Sequence, residues 1–104
     1  MVVSWLRSWW PWRRRRLTQW QVLMYTRQGC HLCEHAWELL CEAQRRYGFA
    51  LSEADVDVEP ALKAEYGEQV PVIVVNGRVR FRGVVNRILL ERLLAAGERQ
   101  LGSE

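Results

Sequence analysis

Cysteine is scarce in this chain, with three in 104 residues. That number is odd and too small for a disulfide-stapled secreted domain, which favours a reducing, cytoplasmic setting. Runs long and apolar enough to span a bilayer are lacking as well. The first 19 residues contain no acid but five arginines (Arg7, Arg13, Arg14, Arg15 and Arg16). The whole chain has a formal charge of +3, so residues 20–104 carry −2. The basic balance therefore belongs to one end. A nucleic-acid-binding domain would spread its basic residues over a folded face, so nucleic acid is not an expected partner. Internal repeats are absent, and the length suits one domain.

The N-terminal segment combines Trp5, Trp9, Trp10 and Trp12 with four consecutive arginines. A secretory leader would place its positive charge before an apolar stretch and end in small residues; here the order is reversed and no such site follows. A twin-arginine signal needs an apolar region after the arginines, and none follows Arg16. Two readings remain for residues 1–19. One is a disordered extension, since Pro11 interrupts any helix through it. The other is a peripheral contact through residues 1–16 with the inner face of a membrane, tryptophans at headgroup level and arginines drawn to anionic lipid. On either reading the domain proper is residues 20–104, and removing residues 1–17 should not affect folding.

The body alternates in period. Trp20 to Tyr25 reads as a strand. From about Cys30 to Tyr47 the apolar positions Leu32, Ala36, Leu39, Leu40, Ala43 and Tyr47 recur at helical spacing, and Gly48 ends the helix. Phe49 to Val56 reads as a second strand. Pro60 opens a short helix with Leu62 and Tyr66 on its inner side. Val70 to Val75 is the most apolar run and predicts a central strand buried on both faces. Asn76-Gly77 signals a hairpin into Arg78 to Arg82. Asn86 is placed to cap a last helix with Val85, Leu89, Leu93 and Ala96 as its stripe. The order β-α-β-α-β-β-α predicts an α/β fold with a four-stranded mixed sheet flanked by helices.

Between the first strand and the first helix lies Tyr25-Thr26-Arg27-Gln28-Gly29-Cys30-His31-Leu32-Cys33. A Cys-x-x-Cys at such a junction reads as a redox dithiol. Two thiols one helical turn apart can close a small ring. The helix N-terminus favours the thiolate at the first of them, and only the thiolate attacks a disulfide. Cys30 is the candidate nucleophile, with Arg27 and His31 as neighbours able to favour its thiolate further. Cys33, one turn inside, is the candidate resolving thiol. The competing readings of His31 and His35 are exposed surface residues. A metal site drawn from Cys30, Cys33, His35 and Cys41 fails on distance: eight helical residues from Cys33 to Cys41 span about 12 Å, whereas zinc–sulfur bonds are about 2.3 Å. No metal is expected, and Cys41 reads as a small packing residue beside Trp37.

These elements and motifs resemble the thioredoxin fold. Tyr25-Thr26-Arg27-x-x-Cys30-x-x-Cys33 is similar to the site of glutaredoxins. Asp55-Val56-Asp57-x-x-Pro60-x-Leu62-x-x-x-Tyr66-Gly67-x-x-Val70-Pro71-Val72 resembles a small, mostly bacterial glutaredoxin-like family whose members often read Gly-Cys-x-Leu-Cys. The resemblance covers residues 20–97. It implies thiol–disulfide exchange through a Cys30 mixed disulfide resolved by Cys33. It also implies a cis Val70-Pro71 bond whose Val70 backbone pairs with an extended substrate. Arg27, His31, Val70 and Pro71 are then the substrate-binding candidates. The expected partners are protein or low-molecular-weight disulfides, with glutathione or a thioredoxin-type reductant as electron source. No cofactor is required, with glutathione as a candidate co-substrate, and a monomer is expected. The alternative is a non-enzymatic binding protein of this fold or an iron–sulfur carrier using Cys30 and glutathione. Two departures stand out. Gly83-Val84-Val85-Asn86 replaces the Gly-Gly-x-Asp with which glutaredoxins hold glutathione, which predicts weak glutathione binding. Met24 occupies the position at which thioredoxins carry a buried acid, so a buried proton acceptor is missing there.

Overall fold

The computed structural model describes residues 17–102. The tryptophans and arginines of the expected membrane contact, residues 1–16, lie outside the described residues. The chain forms strand β1 (Gln21–Thr26), helix α1 (His31–Tyr47), strand β2 (Ala50–Asp55), a 3-10 turn (Val56–Val58), helix α2 (Pro60–Tyr66), strands β3 (Val72–Val75) and β4 (Arg78–Arg82), and helix α3 (Arg87–Gly102). The sheet order is β2-β1-β3-β4. β1 and β2 are parallel, and β1–β3 and β3–β4 are antiparallel. This is the mixed α/β sheet that the periodicity predicts. Asn76 and Gly77 both take positive φ (51° and 84°), which suits the primed turns that match strand twist in two-residue hairpins.

Strand alternation decides which residues meet the helices. Val22 and Met24 of β1 and Ile73 and Val75 of β3 join Cys33, Ala36, Leu40, Ala43 and Tyr47 of α1 and Leu90 and Leu94 of α3 in one core. On the opposite face Tyr25 stacks on Tyr66 of α2, ring centroids 4.8 Å apart. α1 and α3 thus cover one face and α2 the other. At the far end of α1, Tyr47 Oη donates to Glu91 (3.2 Å), Arg46 pairs with Glu91, and Arg87 pairs with Glu42 at 2.6 Å. These contacts tie the two helices together.

Three details differ from the sequence reading. First, Leu17 is fully buried in the core. Its N–H donates to the Tyr47 carbonyl (3.0 Å), and its own carbonyl accepts from Trp20 N–H (2.9 Å). The folded body therefore includes Leu17, which the sequence reading assigned to the 1–19 extension. A single leucine after a run of arginines carries no periodicity, so this contact had no signal. Second, the buried stripe of α1 runs through Cys33 rather than Leu32, which is 48% exposed. Third, α3 buries Leu90, Leu94 and Gly97, while Leu89 and Ala96 are exposed and Leu93 is only partly covered. Val85 is buried but lies before the helix, so it does not share the helical phase used to extend its stripe.

Candidate active site

β1 ends at Thr26, and the chain must turn sharply to enter α1, which packs on one face of the sheet. Gly29 makes that turn with φ of 75°, a conformation that side-chain-bearing residues rarely adopt. Cys30 follows as the N-cap of α1 in extended conformation, and its Sγ accepts the Cys33 N–H at 3.1 Å. One of the orphan donors of the helix start is thereby aimed at sulfur. The two Cα atoms are 5.2 Å apart and the sulfurs lie at disulfide distance. Cys33 is 2% exposed, whereas Cys30 is half-buried and reachable. Cys41 is a free, half-buried cysteine. Among the described residues no group of three or more His, Cys, Asp or Glu side chains is arranged to hold a metal.

A groove of about 630 Å³ opens beside the cysteine pair, between α1 and the β1–β2 edge. Cys30, Cys33, Met24 and Trp37 line it with Arg27 and the carboxylates of Glu34, Glu38, Glu53 and Asp55. Arg27 belongs to this wall, but its guanidinium is held elsewhere. It donates to both Asp57 oxygens (2.7 and 3.1 Å) and to the Gly67 carbonyl (2.8 Å). The hydrogen bond and charge of Asp57 raise the Arg27 pKa, and the same bond lowers that of Asp57. Asp57 is in turn set by the turn before it, where Asp55 accepts its N–H at 2.8 Å. Arg27 thus anchors the segment that leads to Val70, in addition to lining the groove. Its partner Asp57 was visible in the sequence only as part of a motif. His31 is 95% exposed with Glu34 3.7 Å away, and it does not line the groove. His35 is also exposed, opposite Glu38.

The Val70-Pro71 peptide bond is cis, as the resemblance implies. Pro71 is buried, and its carbonyl accepts the Gly83 N–H at 2.8 Å, while the same N–H lies 3.0 Å from the Gln69 carbonyl. The loop before β3 is thereby fixed to the turn before α3. Val70 is half-buried against the core and lies outside the strand pairing. Asn86 caps α3, accepting the Leu89 N–H at 3.0 Å. A second, smaller cavity of about 290 Å³ lies between α1 and the β4–α3 turn, lined by Leu32, His35, Ala36, Leu39, Val84, Val85 and Arg87.

Residues 21–95 match the glutaredoxin-like domain family (DUF836). The chain belongs to that family. An uncharacterized protein of Mycobacterium tuberculosis is 40% identical over 63 residues, covering 56% of this chain and 65% of the relative. The chain thus spans just under two thirds of the length of that relative. A protein of Methanothermobacter thermautotrophicus named "Probable Thioredoxin" is 33% identical over 69 residues, covering 64% of this chain and 81% of that one. Among solved structures, a structural-genomics target from Xanthomonas campestris is 30% identical with a TM-score of 0.59, over 72% of this chain and 96% of the other. A thioredoxin from Halobacterium salinarum superposes with a TM-score of 0.57 at 19% identity, over 80% of each chain, a likeness of fold. This member of the glutaredoxin-like family therefore combines a thioredoxin-like fold with a Cys30–Cys33 pair at disulfide distance. Among the described residues no helix is long and apolar enough to cross a membrane.

Proposed function

We propose that this protein is a thiol–disulfide oxidoreductase in which Cys30 attacks a substrate disulfide and Cys33 resolves the mixed disulfide. The observation that carries the reading is the asymmetry of the pair. Cys30 caps a helix, accepts a backbone N–H and is reachable; Cys33 lies one turn inside and is almost wholly buried. Donors aimed at sulfur and the partial positive charge of a helix N-terminus stabilise a thiolate. Attack forms a Cys30–substrate disulfide and releases the first substrate sulfur as a thiol. Cys33 then attacks the Cys30 sulfur, and the second substrate sulfur leaves with the electron pair. The cysteine pair ends oxidised and the substrate reduced, so an external dithiol must restore the pair in each cycle.

Val70 supports an extended substrate, since its backbone is not taken up by the sheet and can pair with an added strand. The exposed Leu32 and Val84 beside the smaller cavity favour a peptide-borne disulfide over a small charged one. Asn86 offers an amide, not a carboxylate, to any ligand amine near the α3 N-terminus, which disfavours glutathione. The test is turnover. Catalytic amounts of the full-length protein, with dithiothreitol as reductant, should accelerate reduction of a peptide disulfide over dithiothreitol alone. Loss of that acceleration in Cys30→Ser is expected. A wild-type protein that gives no acceleration refutes the reading.

A further inference from the structure

The resolving step needs a proton to leave Cys33, which is 2% exposed and lines the groove. Met24, beneath it in β1, is fully apolar and has nothing to accept that proton. The strand pairing supplies what β1 lacks. Met24 is the register partner of Glu53 in β2, and parallel neighbours stand about 4.8 Å apart. Alternation puts Leu51, Glu53 and Asp55 on the same face as Val22 and Met24, the face that α1 covers. Since β2 is an edge strand, the Glu53 side chain stands just outside Met24, in the groove that also reaches Cys30 and Cys33.

The other carboxylates of the groove each have a polar neighbour. Glu34 and Glu38 sit opposite His31 and His35, at 3.7 Å each. Asp55 accepts the Asp57 N–H, and Arg27 is bound by Asp57 and the Gly67 carbonyl. Among the described residues no hydrogen bond or ion pair engages Glu53.

We propose that Glu53 is the proton acceptor for Cys33, acting through water in the groove and replacing from the neighbouring strand the acid that β1 does not carry. The proposal rests on the dithiol reading above. In the step, the Cys33 thiol passes its proton through water to the Glu53 carboxylate, and the Cys33 thiolate attacks the Cys30 sulfur. The Cys30–substrate bond breaks with its electron pair on the substrate sulfur, and Glu53 later returns the proton to solvent.

A negative charge near a thiol also has a purely electrostatic effect, which raises the thiol pKa and slows attack. The two roles predict opposite signs for Glu53→Gln. The test uses full-length reduced protein carrying Cys41→Ala, so that the third thiol is silent, and excess dithiobis(nitrobenzoate) followed by stopped-flow absorbance. Attack by Cys30 releases one chromophoric thiolate and resolution by Cys33 releases the second. With Glu53→Gln the second release should slow by roughly tenfold or more at neutral pH, below the usual 10²–10⁴-fold range of general base catalysis because water intervenes. The ratio of second to first release should fall, Glu53→Asp should recover much of it, and the deficit should shrink as pH rises past the free thiol value of about 8.5. A second release that is unchanged or faster in Glu53→Gln overturns the proposal and leaves the dithiol reading intact. A wild-type protein that releases no second equivalent overturns both.

Discussion

Leu17 is the point at which the structure bears most directly on the expectation that residues 1–17 are dispensable for folding. Its side chain is fully buried in the core, and its backbone links the entry to β1 with the end of α1. Leu17→Ala removes the buried atoms of that side chain and leaves a cavity, but keeps both backbone hydrogen bonds. Substitutions of this kind cost about 2–5 kcal/mol. For a domain of this size each kcal/mol moves Tm by about 4–8 °C, so a central cost of about 3 kcal/mol implies a fall of roughly 12–24 °C. Urea unfolding of the oxidised protein should show the same loss as a lower midpoint with unchanged slope. The companion measurement removes residues 1–15, leaving Arg16 and Leu17, and on the reading of that segment as a dispensable extension should leave the stability within about 0.5 kcal/mol of the full chain. A chain begun at Thr18 also loses both backbone hydrogen bonds and should be destabilised at least as much as Leu17→Ala. Equal stability of Leu17→Ala and the parent would refute the claim that this residue closes the core.

Three further outcomes are expected. Gly97 faces the Trp20 ring so closely that a Cβ would overlap it; Gly97→Ala should lower Tm even though alanine favours helix by about 1 kcal/mol, because overpacking costs typically 1–3 kcal/mol, and a rise in Tm would contradict this packing. Asp57 has a pKa lowered chiefly by its hydrogen bond from Arg27, so its contribution is present above the ordinary aspartate value of about 4 and is lost as pH falls through the lower folded value; Asp57→Asn should flatten that acid limb of stability against pH, and an unchanged limb would show that the pair does not contribute. Asn86→Asp keeps the oxygen that caps α3 and adds a negative charge, so it should raise activity in a glutathione-coupled disulfide assay at unchanged Tm; a wild type already as active as the variant would show that glutathione is not disfavoured.

The local features were legible because short-range chemistry dictates them. Alternation and helical spacing place β1 to β4 and α1, Asn76-Gly77 sets the hairpin, and Gly29-Cys30 marks the strand-to-helix turn. The cis bond before Pro71 followed from resemblance to known motifs, not from spacing. What was not legible depends on contacts far apart in sequence. Nothing near Arg27 says that its guanidinium reaches Asp57 and Gly67, and nothing near Met24 says that Glu53 stands beside it, since parallel register is fixed by the whole sheet. The stripes of α1 and α3 were read one position off at Leu32 and Leu89 because leucines on both sides of the true face satisfy the period. In α3 the close approach of Trp20 to Gly97 decides which side is covered.

The central claim is that Cys30 attacks and Cys33 resolves, and trapping tests it most directly. Full-length protein carrying Cys33→Ser should accumulate a mixed disulfide with a peptide disulfide substrate, mapped by mass spectrometry to Cys30, because the resolving thiol is gone. Cys30→Ser should accumulate little adduct, since the remaining Cys33 sulfur is buried. Adduct at Cys33 in the Cys30→Ser protein, at a rate equal to that at Cys30 in the other, would contradict the assignment.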